Sequence, residues 1–341
     1  MEKGNKWTVA DLAQAAKAIQ EGELVAFPTE TVYGLGADAT NDTAVKQVYA
    51  AKGRPSDNPL IVHIASQDDL APFVAEISVS AKQLMDHFWP GPLTLIFDIQ
   101  EGSLPSSTTG GLTTCAFRMP DNKVTLGLIE TSGKVLVGPS ANTSGKPSPT
   151  TAEHVLHDLE DNIAGVIDDG QTTVGLESTV LDMTVNPPMI LRPGAITPDD
   201  LMTVIPEVVM DDHLVSESSQ PKAPGMKYRH YAPEVPVYMI DYAVQNWQSA
   251  IEWATSEGKK IGLLCSESIA KPYLEEVDDV YYLSKESDVK SSMHQLFSGL
   301  RYFDNQNESI DIVFVETFAD EGIGMAYMNR VRKSASQRYY R

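Results

Sequence analysis

Cysteine is almost missing from this chain of 341 residues: only Cys115 and Cys265 occur. So widely separated a pair builds neither a disulfide framework nor a thiolate zinc site, and both thiols are expected to be reduced and buried. Long apolar runs are also lacking. No stretch approaches the roughly 20 consecutive apolar residues of a membrane span. The opening MEKGNKWTVADLAQAAKAIQEGE has no apolar core of the signal-peptide kind, so a cytoplasmic protein without membrane association is expected. Basic charge is scarce: 26 Lys and Arg face 47 Asp and Glu, a formal net charge of -21. Such a field repels polyanions unless cations are locally concentrated, which disfavours nucleic-acid binding as the main activity. The deficit is concentrated in residues 1–210, whose three arginines are Arg54, Arg118 and Arg192. They sit in KGRP, TTCAFRMP and LRPG, among Gly, Pro, Ser and Thr, where a solubilising arginine has no charged helix face to occupy.

What is present is ample material for two hydrophobic cores, with 42% hydrophobic residues. Residues 8–22 predict a helix capped by Thr8, with Leu12, Ala15, Ala16 and Ile19 on one face and Gly22 closing it. Short β-branched runs follow at ELVAF and at 60–64, 93–99, 113–117, 135–137, 163–167, 179–183 and 189–191, with helical patterns between many of them. Several neighbouring runs are joined by turns too short for a parallel crossover. The expected fold class is therefore α/β, with a twisted mixed sheet and flanking helices over residues 1–210. Residues 211–235 lose periodicity and read as a linker, although Lys222, Lys227, Tyr228, Arg229, His230 and Tyr231 crowd its second half. From 236 to 341, VPVYMI, KIGLLC, DVYYL and DIVFVE alternate with helical stretches near 247–254 and 289–303. That is the period of a smaller Rossmann-like βαβ domain with a parallel sheet. Trp247, Ile251 and Ala254 share a helix face and are expected in its core. The last twelve residues, with five cations and no acid, are read as a solvated basic helix end in preference to an RNA contact.

Some patterns fail on inspection. GLGADA at 34–39 imitates a dinucleotide fingerprint but lacks a clean preceding strand and an acidic partner, so a turn is expected. SGKPS at 144–148 lacks Walker spacing. His154 and His157 are spaced as helix neighbours, yet no further ligands complete a metal site, and exposed helix histidines are expected. Three polar segments near strand ends survive. PTETVYGLG at 28–36 offers hydroxyls, GPSANTSGKPSPT at 138–150 offers hydroxyls and amides suited to phosphate oxygens, and KGRPSDNPLIVHI at 52–64 places Lys52 and Arg54 two apart. If that last segment is extended, both cations face one polyanion. With the lone arginines, these segments point to a nucleotide phosphate site.

KGR at 52–54 and SAN at 140–142, with PTETVYGLG, ESTV at 177–180 and LRPG at 191–194 in the same order, resemble the motifs of the YrdC-like family. Together with PGMKYRHYAP and the trailing βαβ region, essentially the whole chain resembles the long, two-domain threonylcarbamoyl-AMP synthases. The resemblance implies a reaction in which L-threonine, bicarbonate and ATP, the last with Mg2+, give threonylcarbamoyl-adenylate and pyrophosphate. Partner proteins of the threonylcarbamoyl-transfer machinery would then use the adenylate to make N6-threonylcarbamoyladenosine in tRNA, with at most a weak direct tRNA contact. On that reading Lys52, Arg54 and Arg192 meet the triphosphate, and Asn58, Thr114, Ser140, Asn142 and Ser148 position the nucleotide. Thr31, His63, Arg118 and Ser178 hold threonine, with Arg118 forking its carboxylate. The segment PKAPGMKYRHYAP would be a lid whose Arg229 and Tyr231 reach the nucleotide. No dedicated metal site is expected. Two alternatives are a double-stranded RNA or tRNA-binding module and a carbamoyl-adenylate-forming enzyme like the YrdC-like domain of hydrogenase maturation proteins. The latter context brings zinc-finger segments for which this chain has too few cysteines.

Overall fold

In the computed structural model, which describes residues 4–211, 231–305 and 309–340, the run 24–27 divides its side chains between two cores. Leu24 and Ala26 join the core that holds Val45, Val48, Leu84, Met85 and Val155. Val25 and Phe27 join the one that holds Ala15, Ile19, Leu128 and Ile129. This period-two split buries a strand on both faces, which is why the run is apolar throughout.

Eleven strands continue that sheet: β1 (Asn5–Trp7), β2 (Val25–Phe27), β3 (Gly34–Asp38), β4 (Ile61–His63), β5 (Leu93–Asp98), β6 (Thr114–Arg118), β7 (Leu136–Val137), β8 (Gly165–Ile167), β9 (Thr179–Asp182), β10 (Met189–Arg192) and β11 (Val209–Met210). Their spatial order is β1-β8-β2-β3-β7-β4-β6-β5-β9-β10-β11, with parallel and antiparallel neighbours mixed as expected. The first helix runs Leu12–Gln20, preceded by a short 3-10 turn at which Thr8 and Asp11 form a capping box. The edge strand Asn5–Trp7 escaped the sequence reading because three residues give too little periodicity.

Two expectations are corrected here. GLGAD is strand β3 and not a turn. A Cβ on Gly34 would lie 2.7 Å from the Phe27 ring, and one on Gly36 would lie 2.7 Å from the Val25 carbonyl, so these glycines let β3 close against β2. Lys52 and Arg54 are also not neighbours on an extended strand. Lys52 ends the helix Asp42–Lys52, and Gly53, at φ +59°, supplies the left-handed residue that stops it.

Among the described residues, this first unit comprises 4–144, 148–173 and 177–211, and a second comprises 145–147, 174–176 and 231–340. The second unit has its own sheet, β12 (Val237–Ile240), β13 (Ile261–Cys265), β14 (Asp279–Tyr282) and β15 (Ile312–Glu316), ordered β12-β15-β13-β14 and parallel throughout. Trp247, Ile251 and Ala254 pack in its core with Leu263 and Phe314. Cys115 and Cys265 are both free and buried. The basic end is only partly solvated. Arg330 is fully buried on the helix Gly324–Ser334, with its guanidinium 5.8 Å from the Tyr231 ring centre, while Arg332 pairs with Asp320 at 2.7 Å. Helix periodicity places position 330 inward, which a count of cations does not reveal.

Candidate active site

Arg118, the last residue of β6, is 4% exposed. Its Nη1 donates to Thr31 Oγ1 at 2.8 Å and its Nε to the Gly91 carbonyl at 3.3 Å, while Nη2 stands 2.5 Å from Glu30 Oε2 in an ion pair that is not an aligned hydrogen bond. Thr31 lies in the turn after β2, and three strand spacings, roughly 14 Å in a flat sheet, separate β3 from β6. The 2.8 Å contact is made by the β2–β3 connection and the long Arg118 side chain reaching across, which joins segments distant in sequence into one wall. Thr29 braces the turn: its hydroxyl donates to the Val32 carbonyl at 2.6 Å, accepts from the Thr31 and Val32 amides and lies 2.8 Å from Thr31 Oγ1.

His63 pairs with Arg118 across β4 and β6. Its ring meets Phe27 edge-on at 5.4 Å, and a Cβ on Gly138 would lie 2.5 Å from Nδ1. Burial, reinforced by the Arg118 charge, pushes its pKa down to about 3, so the imidazole is neutral at pH 7. A neutral ring beside a guanidinium adds hydrogen-bonding capacity without a second repelling charge.

Ser178, just before β9, lies 2.7 Å from Thr94 Oγ1. Arg192, ending β10, donates through Nε to the Ser178 carbonyl at 3.0 Å and through Nη2 to Ser178 Oγ at 3.1 Å. Because β4 runs parallel to β6, β5 antiparallel to β6, β9 parallel to β5 and β10 antiparallel to β9, His63, Arg118, Thr94, Ser178 and Arg192 all fall at one end of these strands.

Lys52, 2% exposed, donates to the carbonyls of Ser140 and Asn142, the latter at 2.6 Å. Its charge thus sits beneath the Ser-x-Asn loop, which is also tied by the Ala141 amide to the Tyr33 carbonyl at 2.8 Å. The structure therefore brings Lys52 to the Ser140–Asn142 loop through its backbone carbonyls. Arg54 turns to the carbonyls of Asn58 and Pro59 at 3.4 and 3.3 Å. Ser148 donates to Glu177, and Thr114 opens β6 opposite Asp98. Tyr231 has its ring stacked on Phe297 at 5.1 Å within the second unit, and Arg229 lies outside the described residues, as does most of the expected lid.

The sequence reading passed over Glu30, Glu177 and Thr94, although the first two stand inside the motifs it quoted. A carboxylate beside the hydroxyls of PTETVYGLG and of ESTV was the available signal; Thr94, within an apolar strand, gave none. Of the two helix histidines, His157 is exposed and paired with Asp158 at 2.9 Å, whereas His154 is half-buried and accepts from the Thr150 amide at 3.2 Å. Among the described residues no group of three His, Cys, Asp or Glu side chains gathers as a metal site.

The family model described as "Telomere recombination" matches residues 17–194, and the one described as "Threonylcarbamoyl-AMP synthase, C-terminal domain" matches residues 196–336. The threonylcarbamoyl-AMP synthase of Bacillus subtilis is 45% identical over 97% of this chain and 94% of its own length. The chain belongs to the threonylcarbamoyl-AMP synthase family. Its relative of that name from Pyrococcus abyssi is 44% identical over 95% of this chain and 94% of its own length. The crystal structure of P. abyssi Sua5 complexed with L-threonine superposes with a TM-score of 0.91 at 42% identity, covering 98% of each chain. Both family models are needed to span the chain, as in the long, two-domain members of the family. No helix among the described residues is long and apolar enough to cross a membrane.

Proposed function

We propose that this enzyme is a nucleotidyltransferase that makes threonylcarbamoyl-AMP and pyrophosphate from L-threonine, bicarbonate and ATP, for the N6-threonylcarbamoyladenosine modification of tRNA. The observation that carries the reading is Arg118, fixed by Thr31 and Gly91 beside neutral His63 at the strand ends where Ser178 and Arg192 also meet. The family relationship supports it, and a relative of the same architecture is described in complex with L-threonine.

The neutral amine of threonine attacks the carbon of bicarbonate with loss of water, or of CO2 derived from it with loss of the amine proton, giving a carbamate. A carbamate oxygen then attacks the α-phosphorus of ATP in line with departing pyrophosphate. No enzyme nucleophile is called for, only positioning and charge stabilisation. Arg118 forks the threonine carboxylate, with Thr31, His63 and Ser178 around it. Incoming carboxylate must share the guanidinium with Glu30, which sets a requirement for close fit. Arg54 and Arg192 face the phosphates, while Asn58, Thr114, Ser140, Asn142 and Ser148 position the nucleotide. Lys52 acts from beneath the loop, preorganising the Ser140 and Asn142 carbonyls and adding positive charge behind them. Magnesium arrives on ATP as part of the substrate. Catalysis belongs to the domain spanning residues 1–210, and Arg229 and Tyr231 are assigned to the nucleotide on the motif resemblance alone. The product, a mixed anhydride, is handed to partner proteins that transfer the threonylcarbamoyl group.

Pyrophosphate release by the purified chain with ATP and magnesium tests this directly. Release should require both threonine and bicarbonate; release that ignores their omission would identify a generic nucleotidase instead.

A further inference from the structure

A separate cavity of about 130 Å³ lies wholly within the second unit, between residues 240 and 319. Its position follows from topology. The chain leaves β13 toward β14 on one side. After β15 it passes through the helix Gly324–Ser334 to the opposite edge, where Tyr339 pairs beside Met239 of β12. The crevice between the carboxyl ends of β15 and β13 is thus a switch point, the place where open parallel sheets bind ligands. Glu316, the last residue of β15, spans it: Oε2 accepts from the Ser266 amide at 2.7 Å, just beyond β13, and Oε1 accepts from the Ser287 hydroxyl.

Glu316 is 2% exposed and lines the cavity, whose other lining residues include Tyr242, Trp247 and Phe318 and no Lys, Arg or His. Two neutral donors satisfy hydrogen bonds but leave a negative charge buried without a counter-ion, and burial accordingly raises the Glu316 pKa. Aromatic residues around a carboxylate suit an organic cation, whose charge meets the acid and whose carbons meet apolar surface. Gln245, also in the lining, holds φ at +50° in the turn before the helix Trp247–Ser256. The volume is close to that of cavities that take up one benzene.

We propose that this cavity binds a small organic ammonium compound of about six non-hydrogen atoms, its nitrogen on Glu316 and its carbons against apolar surface. The site is independent of the synthase reading, since it uses none of the residues placed around threonine or ATP.

Calorimetric titration of the full chain with n-butylammonium, n-butanol and butyrate at fixed ionic strength is the test. Saturable binding of n-butylammonium is expected, at least about tenfold weaker for n-butanol and absent for butyrate. Glu316→Gln should weaken n-butylammonium at least about tenfold while threonine-dependent pyrophosphate release persists. Ala319→Leu fills the cavity and should abolish binding with Glu316 intact, so it decides the matter if Glu316→Gln does not fold. Absence of saturable n-butylammonium binding, equal binding of butyrate, or binding that survives Ala319→Leu would overturn the proposal.

Discussion

Arg118 shows why an arginine and not a lysine stands at the end of β6. Three nitrogens of one rigid fork face Thr31, Gly91 and Glu30, and a single ammonium cannot reproduce that geometry. Arg118→Lys keeps a cation for Glu30, so the fold should survive, while the KM for threonine should rise about tenfold or more. Steady-state kinetics with circular dichroism as the folding control checks this; an unchanged KM would remove Arg118 from the threonine site. His63 adds a pH signature. Its folded pKa, about 3, lies below the ordinary value of 6.5, so the unfolded chain takes up the proton first as pH falls. Stability is therefore lost between about pH 6.5 and 3, by up to about 1.4 kcal/mol per unit, and this contribution levels off below that window. Urea midpoints across that range should fall more steeply for the native chain than for His63→Gln, the difference reporting this one group.

At the scale of elements, the site depends on backbone approaching closely to side chains. A Cβ on Gly194 would lie 2.3 Å from the Thr179 amide and 2.6 Å from the Ser178 carbonyl carbon, so Gly194→Ala must displace β9 where Arg192 holds Ser178. The same change at Gly138 presses on the His63 and Phe27 rings. Each is expected to cost about 1–3 kcal/mol, with Gly194 the larger because backbone yields less than a side chain. Denaturant unfolding of the two variants measures this, and a neutral Gly194→Ala would mean that the β9–β10 corner is looser than its contacts imply. Most strands were legible as short apolar runs, as at 24–27, and the helices near 12–20, 247–256 and 289–304 from their periodicity. β1 and the strand character of GLGAD were not: the first is too short for a period, and in the second glycine marks a close approach rather than a turn.

For the whole molecule, net charge sets the partners. With -21 formal charges the chain should show no saturable tRNA binding at micromolar concentration in about 0.15 M salt, because few cations are available to release counterions. Filter binding or fluorescence anisotropy tests this, and tight binding with a steep salt dependence would favour the RNA-binding alternative. Charge and helix phase do different work at the basic end, where Arg330 is buried although the local count of cations suggested a solvated face. The second unit's parallel sheet was readable in its strand and helix alternation, but its switch-point cavity was not, since strand order depends on pairing between distant segments.

The sequence by itself determined the α/β class, the mixed and parallel sheets, the motif segments and the family, because periodicity and motif order are properties of the chain read in line. Tertiary structure alone decided that Glu30 shares Arg118, that Lys52 supports the Ser140–Asn142 loop through its carbonyls, and that Glu316 closes a crevice between β13 and β15. Each joins residues brought within 3 Å by a loop between strands, helix termination or strand order. Those long-range geometries arise from packing and leave no local period in the sequence.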